Sequence, residues 1–335
     1  MGDFNADIIK SEHGGGGEMM ESLIKSLYVK GFSLNSVKGG LGLPDMDDSG
    51  TIPFDDGQIV FTTDSHTVTP LFFPGGDIGR LSVSGTINDL SVMGANPMAL
   101  SSGVIIPEGF PVEQFKKVIK SMDDTLKEAG VPLITGDTKV AGNDLFINTS
   151  GVGFTKNLLT DKGLKKGDLI IVSGTVGDHG ASLLSAREDI TFLSNIKSDV
   201  APLNKMIAKI LPYNIHAMKD PTRGGIANAL NEFSRKSGVR IDIQEEKIPV
   251  REEVVAICDI LGLNFMEIAC EGKVIIGVER DDADIVLDTL RKDSNGKNAA
   301  IIGEVKKGEK VLLETVIGGK RILEPPVADP VPRVC

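Results

Sequence analysis

Three aspartates occupy positions where an alternating strand-and-helix chain commonly keeps its chemistry. Asp64 follows the apolar run at 58–63 and opens Asp64-Ser65-His66-Thr67. A carboxylate at the C-terminal end of a strand suits catalysis in an open α/β structure, and an Asp that merely begins a turn reads the same way. Asp89 lies in a helix expected from Asp77 onward, where Ile78, Leu81, Ile87, Leu90 and Met93 form an apolar stripe closed by Gly94. It borders that stripe, as a metal or polar ligand or as a solvated helix edge. Asp137 repeats the strand-then-Asp layout in Gly136-Asp137-Thr138-Lys139, after a short strand at 131–135. Three glycine-rich turns accompany these acids: His13 with Gly14 to Gly17, residues 174–180 with His179, and Thr222-Arg223-Gly224-Gly225. The first and third precede helices, whose free N–H groups and dipole attract anions, with a flexible linker as the alternative for the first. Carboxylates, glycine turns and Lys139 together suit Mg²⁺ with a polyphosphate, because magnesium takes a few carboxylates plus phosphate oxygens and water.

A thiol is the other reactive group. The stretch from Glu324 to Cys335 has four prolines in twelve positions. Proline removes a backbone donor and fixes φ, so this tail can neither join a sheet nor continue a helix, and a mobile extended strap is expected. At about 3.1 Å per residue it reaches about 35 Å, enough to carry the thiol from a surface into a cleft. A frayed terminus that happens to stop at cysteine is the bland reading. Cys335 is not fourth from the end, which argues against prenylation. Cys258 shares an apolar helical stripe with Val254, Val255 and Leu261 and is expected in the core, as is Cys270 beside Glu271.

These groups need two α/β domains to position them. In residues 1–157, a strand at 58–63, the helix after Asp77, a strand at 98–106, an amphipathic helix ending at Gly130, the strand at 131–135 and one at 145–154 give a βαβαβ-β order. The short link at 142–144 implies antiparallel pairing of the last two, and residues 33–57 read as loop or lid. Polar, lysine-rich composition near Asn157 marks the boundary. In residues 158–320, strands are expected at 168–173, 239–243, 265–269, 273–278 and 299–305, with helices at 182–187, 201–210, 250–261 and 282–292 and one after Gly225. Residues 321–335 are the tail. The 335-residue length supports two domains, and a net charge of −11 without a Lys/Arg cluster argues against nucleic acid or an anionic membrane as partner. Neither an eighteen-residue apolar run nor a secretory signal is evident. Three widely spaced cysteines fit no disulfide framework, which points to the cytoplasm.

The stretches Thr62-Thr63-Asp64-Ser65-His66-Thr67, Gly75-Gly76-Asp77-Ile78-Gly79 and 88–97, extended by Gly136-Asp137-Thr138-Lys139 and Asp220-Pro221-Thr222-Arg223-Gly224-Gly225, resemble the aminoimidazole-ribonucleotide-synthase-like (PurM-like) ATP-binding superfamily. Pro332-Arg333-Val334-Cys335 narrows the resemblance to the HypE family of hydrogenase maturation factors. It covers almost the whole chain in order. The resemblance implies an α+β fold, with an N-terminal PurM-like domain that dimerises through its sheet, a C-terminal PurM-like domain and a mobile tail. It further implies an ATP-dependent dehydratase. A carbamoyl group placed on Cys335 by the carbamoyltransferase HypF becomes a thiocyanate, whose cyanide goes to iron on a HypC–HypD scaffold.

By the same resemblance Asp64, Asp89 and Asp137 hold Mg²⁺ and phosphate. His13 and Gly15, Gly16 and Gly17 close over the phosphates, with Thr138, Thr222, Arg223, Gly224 and Gly225 in the nucleotide site. Lys139 neutralises charge on the transferred phosphoryl group, and Glu271 is chosen as proton acceptor. His66 and His179 are candidates for the site and equally for structural hydrogen bonds. Selenophosphate synthetases would need a reactive Cys or selenocysteine near the first glycine turn, and residues 1–30 contain no cysteine. A binding module whose thiol only delivers a metal would leave the acids without a purpose.

Overall fold

The computed structural model of the chain describes residues 8–14, 16–187 and 195–335. A short helix α1 (Gly17–Leu23) follows Gly16. Strands β1 (Gly50–Phe54) and β2 (Gly57–His66) form a hairpin, and β3 (Phe72–Phe73) pairs with β4 (Gly76–Asp77) ahead of helix α2 (Ile78–Val92). Then come β5 (Asn96–Ile106), α3 (Val112–Ala129), β6 (Leu133–Val140) and β7 (Phe146–Thr155). The first sheet has the order β1-β2-β7-β5-β6. Asp77 caps α2, its Oδ1 accepting the N–H groups of Gly79 at 2.7 Å and Arg80 at 3.1 Å. Gly130, at φ +78°, closes α3.

The second half contributes β8 (Leu169–Val172), α4 (Asp178–Arg187), α5 (Asn204–Ala208), β9 (Ile215–Lys219), α6 (Gly225–Ser237), β10 (Arg240–Gln244) and α7 (Glu252–Leu261). It continues with β11 (Ile275–Val278), α8 (Ala283–Arg291), β12 (Ala300–Lys306), β13 (Val311–Glu314) and β14 (Lys320–Ile322). Its sheet has the order β14-β13-β10-β12-β8-β11-β9. No described helix is long and apolar enough to cross a membrane.

Several expected elements differ. The 33–57 stretch contains β1, because Gly57 allows a tight return to β2 where a side chain would meet Thr155 O. The link at 142–144 is not a hairpin: β6 runs parallel to β5 at the sheet edge, and β7 inserts between β2 and β5. Residues 265–267 form a 3₁₀ turn instead of a strand, with Asn264 Oδ1 accepting the Met266 N–H. The 174–180 turn ends at Gly177, and His179 is inside α4. The strand β9, just ahead of Asp220, has no clear signal in the sequence.

Helix α2 is buried almost throughout, including Ser82, Ser84, Thr86, Asn88 and Ser91, and not along one stripe only. One side packs on β2, β7 and α3, the other on α5 and β9, so small polar residues replace a solvated face. Asn88 joins the halves. Its amide donates to Ala201 O at 3.1 Å and Glu271 O at 3.4 Å, and its Oδ1 accepts the Leu203 N–H at 2.8 Å. Replacing it leaves buried partners unsatisfied, so Asn88→Ala should lose about 2–3 kcal/mol of stability, read from the denaturant midpoint at unchanged slope.

Candidate active site

Alternation along β2 turns Val60, Thr62, Asp64 and His66 towards α2. Asp64 accepts from Thr86 Oγ1 at 3.4 Å, and Thr62 Oγ1 donates to Asp89 Oδ2 at 2.8 Å. Asp64 and Asp89 thus come together as expected, with two further acids. Burial and the neighbouring Asp64, Asp220 and Asp48 raise Asp89 well above the carboxylate range. Burial and Asp48 push Asp220 up to about 8. Asp48 is itself raised by burial, opposed by Lys219, whose ammonium donates to it and lies 3.1 Å from Glu232. Glu271, 3% exposed, is raised well above its ordinary value by burial, Asp220, Asp199 and Asp64, with Arg223 opposing. The doublet Asp47-Asp48 falls in a stretch that reads as loop or lid, and Asp220 opens the motif whose later residues, Thr222 to Gly225, carry the glycine-turn signal.

The tail ends in this region. Asp329 fastens it to the N-terminus of α6, accepting the Gly224 N–H at 2.9 Å and the Val331 N–H at 2.7 Å. Val331 and Val334 are buried in the core cluster that includes Ala181, Ile268 and Ala269. Arg187 clamps three carbonyls: Thr69 at 2.6 Å, Pro332 at 2.7 Å and Arg333 at 2.8 Å. His179 Nε2 meets Val334 O at 2.8 Å. The tail is irregular, as its prolines require, but it is docked. Burial pushes the Cys335 thiol up to about 12; Arg223 opposes this, while Glu271, Asp329 and Asp64 add to it. Nothing in the sequence marked Arg187 or Asp329 as tail contacts.

Arg223 Nη1 donates to Gly14 O at 3.1 Å, which brings the first and third glycine turns together. Gly16, at φ +79°, lies against it: an added Cβ would stand 2.8 Å from Arg223 Cβ. Gly17 has no more room: a Cβ there would stand 2.5 Å from Pro326 O. His13 is buried, and its Nδ1 accepts the Lys10 N–H at 3.0 Å. Thr222 accepts the Gly225 N–H through its carbonyl at 3.0 Å. Gly15 lies outside the described residues. His66 is buried beside Gly85, and desolvation lowers its pKa, so it is neutral here. His179 serves the tail. Cys258 and Cys270 are buried core thiols, as expected.

Asp137, Thr138 and Lys139 do not join this group within one chain. Register sets Asp64 beside Thr149, Ser102 and Gly136, whereas Asp137 is beside Gly103, Asn148 and Ser65. Adjacent strand positions point to opposite faces, so Asp137 faces away from Asp64 and stands three strands off, about 14 Å. Its carboxylate binds Lys139 Nζ at 2.6 Å, both exposed, and that bond lowers its pKa. Among the described residues no three His, Cys, Asp or Glu side chains could hold a metal ion as they stand. The inner acids fit a cation chemically, since Asp48 Oδ2 and Glu271 Oε1 are buried with no hydrogen-bond partner among the described residues.

Two family models match in series: AIR synthase related protein, N-terminal domain, over residues 46–155, and AIR synthase related protein, C-terminal domain, over residues 165–314. The chain is therefore an AIR-synthase-related two-domain protein. It is 53% identical over 330 residues to a hydrogenase expression/formation protein of Methanocaldococcus jannaschii, covering 96% of this chain and 98% of that one. It is 40% identical over 340 residues to the carbamoyl dehydratase HypE of Escherichia coli, with 98% and 99% covered. A solved HypE–HypF complex contains a chain matching at TM-score 0.85 and 45% identity, over 91% of this chain and 100% of that one. A HypE solved with ATP matches at TM-score 0.81 and 37% identity, over 96% and 98%. The chain belongs to the HypE family of carbamoyl dehydratases, the hydrogenase maturation proteins.

Because the docked tail holds the Cys335 proton more tightly than a free cysteine near 8.5, docking is favoured while the thiol is neutral and weakens as pH rises through 9 towards 12. Alkylation of Cys335 by iodoacetamide should therefore be slow at pH 8 and rise steeply above pH 9. Arg187→Ala, without the three-carbonyl clamp, should shift that profile towards an ordinary cysteine; an unchanged profile would remove Arg187 from tail docking.

Proposed function

We propose that this chain dehydrates a carbamoyl group carried on its own Cys335 to a thiocyanate, using ATP, and so supplies the cyanide ligand of the iron in a [NiFe] hydrogenase. The observation that carries this reading is the docking of a C-terminal thiol beside Arg223 and Glu271, within reach of the fields of buried carboxylates. An amide oxygen is a poor leaving group. Transfer of the γ-phosphoryl group to it breaks the terminal phosphoanhydride, gives ADP, and lets the oxygen depart as phosphate. The carbon–nitrogen bond becomes triple as two N–H protons leave. Glu271, buried and of raised basicity, accepts the first at its unpartnered Oε1, and the departing phosphate carries off the second.

Asp64 and Asp89, with Asp48 and Asp220 beside them, would hold Mg²⁺, which screens the polyphosphate and balances the buried acids. His13, Gly16, Gly17 and the Thr222–Gly225 turn would enclose the phosphates, with Gly15 assigned there from the sequence. The first sheet leaves Ile52, Phe61 and Ile105 exposed on its uncovered face. We assign that face to a homodimer, in which Asp137, Thr138 and Lys139 of the second copy would complete the site and Lys139 would stabilise the transferring phosphoryl group.

The docked thiol is protonated at neutral pH and half-buried. Loading by a HypF carbamoyltransferase and delivery to a HypC–HypD scaffold therefore need a released, mobile tail, with residues 321–335 moving as a unit. We place this cycle in the cytoplasm, with residues 1–157 and 158–320 as its two domains.

Intact mass should show a carbamoyl group gained on Cys335 from the carbamoyltransferase, then one water lost with Mg·ATP, and neither change in Cys335→Ser. ATP hydrolysis without change at Cys335 would defeat the proposal. Glu271→Gln should keep nucleotide affinity and slow dehydration by about a hundredfold or more. Asp89→Asn should weaken Mg·ATP binding in equilibrium titration, and unchanged affinity would take Asp89 out of the metal set.

A further inference from the structure

A second cleft, about 380 Å³, opens at the junction of the two halves. It is bounded by the N-terminal ends of α2 and α4, the 197–201 segment and the loop at 294–298. Arg80 lies nine residues, about 13 Å along α2, from Asp89, so the cleft opens away from that acid, and it meets the carboxylate site at Asp199, whose Oδ1 accepts the Glu271 N–H at 3.1 Å. The whole chain carries a charge of −11, yet five cationic and only two acidic side chains line this space. Three of the cations are committed. Arg80 pairs with Glu128 at 2.6 Å, Arg251 with Asp178 at 3.1 Å, and Lys273, 7% exposed, faces Asp199 at 3.2 Å. Lys197 and Lys297 have no hydrogen-bond or ion-pair partner among the described residues, and neither do the side chains of Ser294 and Asn298.

The floor is built for its lysine. Gly174 lies under Lys273, and a Cβ there would stand 2.8 Å from its Cε. Gly75, at φ +95°, brings the β3–β4 turn onto the backbone of Ser198, where a Cβ would come within 2.7 Å of the amide nitrogen. The two free lysines at the rim and the unpartnered hydroxyl and amide groups beside them suit a small, multiply charged oxyanion.

One wall of the cleft touches the tail. Ser198 lines it, and its Oγ lies 2.7 Å from His179 Nδ1, while His179 Nε2 lies 2.8 Å from Val334 O. A carbonyl only accepts, so Nε2 carries the hydrogen and, in the neutral ring, Nδ1 is an acceptor. Burial lowers the His179 pKa, which keeps the ring neutral. Ser198 must therefore donate its one hydroxyl hydrogen to Nδ1, and its Oγ accepts the Val200 N–H at 3.1 Å. An oxyanion in the cleft would claim that same hydrogen.

We propose that this cleft binds a phosphate-class anion, and that the anion takes the Ser198 hydroxyl hydrogen from His179 Nδ1, so that the ring loses the contact that orients its Nε2–H on Val334 O and the tail, with Cys335, is released more readily. The anion could be orthophosphate or the phosphate end of a nucleotide. The site rests on the cleft alone and does not depend on the dehydratase reading. Its coupling rests on the tail contacts.

The test uses the full chain without a carbamoyl donor and follows Cys335 alkylation at fixed pH and ionic strength. Orthophosphate and ADP are titrated separately against chloride. Wild type should show a saturable acceleration of about fivefold or more. Lys197→Glu combined with Lys297→Glu should abolish it while leaving the anion-free rate unchanged. Ser198→Ala should alkylate faster without anion and respond to neither. A response to orthophosphate that the double variant loses identifies the free anion as ligand; a response to ADP alone, lost in the same way, identifies the nucleotide phosphate. No saturable response to either, or one that survives the double variant, overturns the proposal. Retained activity with wild-type dehydration kinetics in the double variant would then show that the dehydratase reading stands without it.

Discussion

Beside Asp64, the carboxyls of Asp48, Asp89, Asp220 and Glu271 share a space too poor in water for all four to be charged. The neighbours that raise Asp89, Asp220 and Glu271 are largely one another. Such a group persists only if surrounding structure supplies cations or protons. Lys219, held by Asp48 and Glu232, and Arg223, reaching across to the first glycine turn, are the resident cations. They leave a remainder of negative charge that a divalent cation would balance, so an empty site and a loaded one differ in their protons as well as their contents.

Holding those acids in place requires a rigid support, and α2 provides it. Because it is buried by one sheet on one side and by the second domain on the other, it cannot slide without breaking the Asn88 contacts to Ala201, Leu203 and Glu271. Asp89 is the next residue. The bond that fixes the domains and the carboxylate that serves the site are thus one peptide apart, and any domain rotation would be felt as a change in acid spacing.

Much of this was legible in the sequence, for identifiable reasons. The neighbourhood of Asp64 and Asp89 and the turn at Thr222–Gly225 are legible because strand ends, a helix stripe and a glycine turn leave local signals. The core placement of Cys258 followed from helical spacing. Asp48 and Lys219 were missed because their meaning is a long-range ion pair, which no local pattern encodes. Asp137 and Lys139 were read with the others because a strand followed by Asp looks alike on either face of a sheet. Only register, set by β7 inserting between β2 and β5, separates them. The docking of the tail was likewise hidden: prolines announce an irregular course, but Arg187 and His179, which hold it, are ordinary helical residues in sequence.

The contact between the tail and the first glycine turn carries a consequence for movement. Val327 O accepts the Met19 N–H at 3.3 Å, and Gly17 packs directly on Pro326 O. Tail and N-terminal helix are therefore two leaves of one latch, and neither can swing alone without exposing the other's backbone groups. Departure of the tail therefore takes a backbone partner from Met19, and opening of the glycine turn takes one from Val327, so each movement costs the other element a contact.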